Sequence, residues 1–266
     1  MGKFQALIIQ HSIMSFIILT LIISLVSFTL MLTIPNAKIP ESNTGLPIWL
    51  IAIWSPNIAA LIVWATNKSI ISNLQLAFSL PKLSAWSLII LTPVLVSAIL
   101  LGIELLKGVV IEWSNFKVNY ILPLIFINLI MGPLGEEIGW RGLLYPIVKE
   151  NYGWIASAIF VGIIWALWHA PLWLIESPQS KIPFWAFSIN VVCLSFLMSM
   201  VYNYSNGSII LIILFHLIFN LSLGFIDILG THESGEYVTK SLFLYIPITI
   251  VLSWTYELYS QSNCSV

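Results

Sequence analysis

Long apolar stretches recur along the whole chain, and they constrain its fold more than any other feature. Many reach about 18 or more residues, and a helix needs roughly 20 to cross a hydrocarbon core of about 30 Å. Polar and turn-forming residues are concentrated between the stretches, where the backbone can stay hydrated. We therefore predict an all-α, polytopic transmembrane helical bundle of about eight spans, folded as a single domain over residues 1–266.

The predicted spans follow from where each apolar run begins and ends. The first run is too long for the hydrophobic region of a signal peptide, so we expect it to be retained. The polar turn at Asn151–Gly153 is expected to fold the fourth and fifth spans into an antiparallel hairpin. In order, the predicted spans are Ala6–Ile34, Pro47–Thr66, Ala85–Leu105, Tyr120–Val148, Trp154–Ile175, Ile182–Tyr202, Ile209–Leu229 and Leu242–Leu258.

Charged residues are scarce, and their distribution excludes one class of function. Only 8% of the chain is Asp, Glu, Lys or Arg, whereas about a quarter is usual in soluble domains. The net charge is -1 and no basic run occurs, so we expect no nucleic-acid partner. Membrane lipids are the expected surroundings, and a composition rich in Ile, Leu, Ser and Asn favours a prokaryotic cell membrane.

Three ionisable residues stand within two helical turns of the fourth predicted span. They are Glu136, Glu137 and Arg141, the last being the single arginine of the chain. A charge at the bilayer centre costs about 2.5 to 3.5 kcal/mol, so such residues indicate function. On a helix Glu137 and Arg141 share a face, whereas Glu136 points about 100° away and stays available as a general base. A structural ion pair or a transport path would also explain the segment.

The fifth and seventh predicted spans add two histidines and an asparagine. Counted from the hairpin turn, Glu136 and His169 both lie roughly 20 to 25 Å along their helices, so we expect them at similar depth. His216 and Asn220 share a helix face at i,i+4 spacing, and their depth matches only within a turn or two. Taken singly, each of these residues is also explained by a hydrogen bond to a neighbouring helix.

Together the three segments resemble the signature of the CAAX protease and bacteriocin-processing family of intramembrane endopeptidases. That signature is Glu-Glu-x-x-x-Arg, then aromatic-x-x-x-His, then His-x-x-x-Asn. The aromatic position is tryptophan here, where many relatives have phenylalanine. The resemblance covers roughly Gly132 to Leu223 and implies a catalytic core at about residues 120–229. The matching residues are Glu136, Glu137 and Arg141, then Trp165 and His169, then His216 and Asn220.

The resemblance implies hydrolysis of a peptide bond inside the membrane. The substrate would be a lipidated protein cleaved near its C-terminus, as in CAAX processing, or an unmodified peptide. We expect Glu136, assisted by His169, to take a proton from the attacking water. His216 and Asn220 are expected to donate hydrogen bonds to the developing oxyanion.

Several alternatives stay open from the sequence. Glu137 and Arg141 are expected to hold the site together, unless Arg141 engages a substrate carboxylate. A glutamate with two histidines also suits zinc, but no HExxH occurs, so we expect no obligatory cofactor and keep Zn²⁺ as the alternative. The competing functions are a membrane transporter or channel with a buried Glu/Arg/His path, and a non-enzymatic immunity or scaffold protein of the same fold.

Overall fold

The computed structural model describes residues 11–66, 85–111, 117–228 and 234–264, and over these ranges the chain is helical without a β-strand. Helices satisfy their own backbone hydrogen bonds, as a hydrocarbon environment demands. The other helical segments within these ranges are a π-helical segment, Ile138–Leu144, and short 3-10 turns at Val118–Tyr120, Ala170–Leu174 and Pro178–Lys181. The α-helices are α1 (Ser12–Thr33), α2 (Gly45–Thr66), α3 (Ala85–Leu106), α4 (Ile121–Ile130), α5 (Pro133–Glu137), α6 (Tyr145–Trp168), α7 (Phe184–Tyr204), α8 (Ile209–Ile228) and α9 (Ser234–Cys264).

The number of membrane-spanning segments agrees with the prediction. Within the described ranges, six helical stretches are long and apolar enough to cross a membrane, and Ile209–Phe225 is a shorter apolar helix. The stretch Ile121–Leu174 covers 54 residues, and it is divided at Gly153, where φ of 78° and ψ of 168° interrupt the helix. The division makes two segments of this stretch, which brings the number of apolar helical segments in the described ranges to about eight. The chain is an all-α, multi-pass integral membrane protein. Residues 6–10 and 229 of the predicted spans lie outside the described residues.

The fourth predicted span, Tyr120–Val148, is not one continuous helix. Helix α4 ends at Ile130, the chain turns at Met131 and Gly132, and α5 begins at Pro133. Proline suits the first position of a helix, where its missing N–H would have no partner within the helix. Helix α5 then passes into the π-helical segment that carries the arginine. Hydropathy did not reveal these changes because apolar residues continue through them.

Helix α2 approaches the broken fourth span closely enough to require glycine. A Cβ atom on Gly139 would lie 2.6 Å from the backbone carbonyl of Pro56, and one on Gly135 would lie 2.9 Å from the Trp54 ring. Trp54 Nε1 also donates a hydrogen bond of 3.0 Å to the carbonyl of Ile130, at the end of α4. The second span therefore fixes the backbone that carries the two glutamates.

Aromatic side chains fill the interior around the broken helix. Trp140 is fully buried and makes edge contacts with Phe16 at 5.4 Å and with Trp168 at 5.9 Å between ring centroids. On the outer surface large apolar side chains are exposed, for example Phe243 and Trp254 of α9. In a bilayer that outer surface contacts lipid tails, so the apolar outside and the aromatic inside are both consistent with a membrane bundle.

Candidate active site

A fully buried carboxylate connects the fourth span to α8. Arg141 Nη1 donates to both carboxylate oxygens of Glu137, at 3.2 and 3.1 Å, so the predicted i,i+4 pair is present. His216 Nδ1 lies 2.7 Å from Glu137 Oε1. A carboxylate can only accept, so Nδ1 carries the hydrogen and donates it. Glu137 therefore orients His216 as well as Arg141, a contact that the sequence did not predict.

Glu136 points away from the ion pair and towards the second motif. Its Oε2 accepts a hydrogen bond of 2.7 Å from Trp165 Nε1. The guanidinium carbon of Arg141 lies 4.2 Å from the centroid of the same tryptophan ring. Trp165 thus contacts the unpaired carboxylate through its N–H and the paired arginine through its face. The tryptophan at the aromatic position of the motif therefore has a polar contact as well as apolar packing.

His169 stands at the C-terminal end of α6 with its ring orientation fixed. Its Nδ1 lies 2.8 Å from the backbone carbonyl oxygen of Trp165, which can only accept, so Nδ1 is the donor. In the neutral ring Nε2 then keeps its lone pair and can accept a proton or a hydrogen bond. The ring packs against Trp168 and Phe187, at centroid distances of 4.6 and 5.1 Å.

Asn220 occupies space that a missing side chain leaves open. A Cβ atom on Gly132 would lie 2.9 Å from Asn220 Nδ2. Any larger residue at the break between α4 and α5 would therefore push the amide away. Asn220 follows His216 by one turn of α8, so both polar groups are presented from one helix.

The site residues converge on one cavity of about 690 Å³. Glu136, His169, His216 and Asn220 border it, whereas Glu137 and Arg141 lie behind this lining. Most of the remaining lining is apolar or aromatic. The shared cavity is consistent with the similar depth expected for Glu136 and His169. The hydrogen bond from His216 to Glu137 fixes the depth of α8, which residue spacing alone left open.

Helix α2 contributes polar contacts that the sequence analysis missed. Asn57 Nδ2 donates to the carbonyl of Leu134 at 2.5 Å, and its Oδ1 accepts from the backbone N–H of Gly139 at 2.9 Å. Ser55 Oγ accepts from Trp168 Nε1 at 3.1 Å. The available signal was the Ser-Pro-Asn sequence inside an apolar span, because polar groups in hydrocarbon need partners.

Some of the donor atoms in the site already have partners within the protein. In the part of the chain that the structure describes, no three His, Cys, Asp or Glu side chains are grouped so that they could hold a metal ion. His216 Nδ1 and both oxygens of Glu137 already bond each other or Arg141. A catalytic zinc site needs three protein ligands with free lone pairs aimed at one point.

Comparison with known proteins finds similarity over the part of the chain that carries the three motifs. The family described as type II CAAX prenyl endopeptidase Rce1-like matches residues 118–222. This match covers 105 of the 266 residues, so the chain is similar to that family over less than half of its length. The chain is also similar to CAAX prenyl protease 2 of Methanococcus maripaludis, with 24% identity over 145 residues. The alignment covers 52% of this chain and 52% of that protein, so the match spans about half the length of the relative.

Proposed function

We propose that the protein is an intramembrane endopeptidase that hydrolyses a peptide bond with water activated by Glu136. The observation that carries the proposal is the convergence of Glu136, His169, His216 and Asn220 on one cavity. The match of residues 118–222 to the prenyl endopeptidase family and the printed name of the archaeal relative support peptidase activity. The apolar surroundings of the carboxylate also favour chemistry over ordinary helix packing.

In the first step Glu136 acts as the general base. Its Oε2 is held by the Trp165 indole, which leaves Oε1 to accept a proton from water. His169 Nε2 accepts the second hydrogen of the same water and so orients it. The water oxygen attacks the scissile carbonyl carbon, and the carbonyl electron pair moves onto oxygen. The proton on Glu136 then passes to the leaving nitrogen as the carbon–nitrogen bond breaks.

The developing oxyanion is stabilised from α8. Asn220 donates from Nδ2. Nδ1 of His216 already donates to Glu137, so His216 donates to the oxyanion from Nε2, which requires a hydrogen on both ring nitrogens. A donor of this kind contributes about 2.7 to 4 kcal/mol of transition-state stabilisation. Arg141 balances the charge of Glu137 and takes no part in substrate binding, since it lies outside the cavity lining.

The proposed substrate is a prenylated protein that is cleaved near its C-terminus, in CAAX-type processing. The cavity volume of about 690 Å³ lies within the range of ligand pockets, roughly 300 to 1,000 Å³. Phe126 and Ile127 of α4 line it and are themselves 54% and 58% exposed, so its wall continues into a lipid-facing surface. Surrounding lipids are the other partners, and the composition and archaeal relative support a prokaryotic cell membrane.

Cleavage of matched peptides by purified protein tests the proposal. We expect the protein in detergent to cut a farnesylated C-terminal peptide at one bond, detected by mass spectrometry, and to cut the same peptide without the lipid more slowly. Transport cannot produce this result, since detergent leaves no compartments. Failure to cleave either peptide would reject the peptidase. Equal cleavage of both would reject the preference for prenylated substrates.

We further propose that catalysis needs no obligatory metal. Exhaustive chelation of the purified protein, followed by the same peptide assay, is expected to leave the rate unchanged. The reason for this expectation is that, within the described residues, no three His, Cys, Asp or Glu side chains are grouped so that they could hold a metal ion. A loss of activity that added zinc restores would overturn this part of the proposal.

A further inference from the structure

We propose that Asn57 is a positioning residue that holds Glu136 in its reactive orientation. The inference rests on the peptidase function proposed above. Asn57 lies on α2, outside the three motifs and outside the 118–222 match to the family. It is 3% exposed and does not border the cavity. It can therefore influence the reaction only through the backbone that it holds.

The backbone around the two glutamates needs external partners. Helix α5 is five residues long and passes directly into the π-helical segment Ile138–Leu144. A change from α to π pairing shifts hydrogen bonds from the i,i+4 to the i,i+5 pattern, so groups at the junction lose regular partners. Asn57 meets this need twice, with Nδ2 on the Leu134 carbonyl and Oδ1 on the Gly139 N–H.

These two bonds lie on either side of the acidic pair. Leu134 is two residues before Glu136, and Gly139 is two residues after Glu137. One planar side-chain amide thus fixes the backbone at both ends of the Glu-Glu step. Rotation of this segment about its axis would break a bond at one end and carry the Glu136 carboxylate away from the indole of Trp165, 2.7 Å distant.

A second feature holds the same segment at a fixed distance. Pro56 contacts the position where a Cβ of Gly139 would stand, with backbone atoms at 2.6 Å. The close approach lets the short Asn57 side chain reach both backbone groups. In an apolar span each of these groups would otherwise be buried without a hydrogen-bond partner, which is unfavourable. The α2 segment is thus built to hold this backbone.

The test compares kcat with KM for the prenylated peptide. Asn57→Leu removes both bonds with little change in volume, and we expect kcat to fall about 100-fold because a shift of about 1 Å at a catalytic group has that effect. KM should stay within about twofold, since the cavity lining is intact. Asn57→Gln keeps both amide groups on a longer stem and should recover part of kcat. If the leucine variant does not fold, Asn57→Gln takes its place, and a lower kcat at unchanged KM in that variant supports the positioning role.

The matched control is Ser195→Ala. Ser195 is also fully buried, and its Oγ also donates between helices to a backbone carbonyl, that of Ala158, at 2.8 Å. Its loss should lower stability without lowering kcat. An unchanged kcat in Asn57→Leu, or an equal fall in the control, would overturn the inference.

A structure of the Asn57→Leu variant separates this inference from the proposed function. We expect the distance between Trp165 Nε1 and Glu136 Oε2 to open beyond the 2.7 Å of the native site, while the Glu137–Arg141 pair persists. This distance can be measured without any catalytic turnover. If the wild-type protein proved inactive, the proposed peptidase function would be rejected, but the effect of Asn57 on the position of Glu136 could still be tested. An unmoved Glu136 in the variant would overturn the positioning even if the wild type cleaves its substrate.

Discussion

The charge of Glu137 is predicted to stabilise the fold through two partners at once. Glu137 and Arg141 are both 0% exposed, with N–O contacts of 3.1 and 3.2 Å, and His216 bonds the same carboxylate at 2.7 Å. Glu137→Gln keeps the volume but leaves the guanidinium without a balancing charge. Removing one member of a buried pair costs about 3 to 5 kcal/mol. We expect a loss of that size in the free energy of unfolding.

Unfolding in mixed micelles measures this loss, and α9 offers a matched control. Glu236 and Lys240 have the same i,i+4 spacing and a contact of 2.7 Å, but Glu236 is 55% exposed. Exposed pairs contribute about 0.2 to 1 kcal/mol, so Glu236→Gln should cost less than 1 kcal/mol. Equal losses of unfolding free energy in Glu137→Gln and Glu236→Gln would show that burial does not increase the cost of removing one partner of the pair.

A double-mutant cycle adds a second criterion. Arg141→Met leaves the Glu137 carboxylate with His216 alone, and it should also cost about 3 to 5 kcal/mol. The double variant removes both charges, so its loss should be smaller than the sum by roughly 0.5 to 3 kcal/mol. Additive losses would show that the two side chains act independently.

Three further substitutions test the site and its supports. His169→Phe keeps the ring packing and removes the nitrogens, so kcat should fall about 10² to 10⁴-fold with little change in melting temperature; an unchanged kcat would exclude His169 from the reaction. Gly139→Ala places a methyl 2.6 Å from Pro56 backbone atoms, and thermal unfolding should report a loss of about 1 to 3 kcal/mol. Gly153→Ala meets no neighbour within 4 Å, so any loss reports backbone strain at φ of 78°, about 1 to 3 kcal/mol; a neutral result would show that the turn does not require glycine.

The features that sequence predicted best are local ones. Apolar run length indicated the spans because a bilayer imposes one length on every helix. The Glu137–Arg141 pair followed from spacing along one helix, and it survives although the backbone there becomes π-helical. The turn near Gly153 followed from polar residues between two apolar runs. Each of these depends on neighbours within a few residues.

The features that sequence did not reveal depend on contacts between helices. The bond between His216 and Glu137 joins residues 79 positions apart, and its depth depends on helix tilt, which hydropathy does not encode. The break at Gly132 is invisible to a hydropathy window because both flanks are apolar. Asn57 lies in a span without a recognised motif. Its structural role becomes visible only from its two hydrogen bonds to the backbone of the fourth span. The catalytic roles of the motif residues remain predictions.

Substitution of Glu136 tests whether this carboxylate is the general base. The measurement is the single-turnover cleavage rate of the prenylated peptide by Glu136→Gln, with the exposed Glu150→Gln as control. General-base catalysis contributes about 10² to 10⁴-fold, so we predict at least that loss with peptide binding retained, and a wild-type rate in the control. Cleavage by Glu136→Gln at the wild-type rate would exclude Glu136 as the general base.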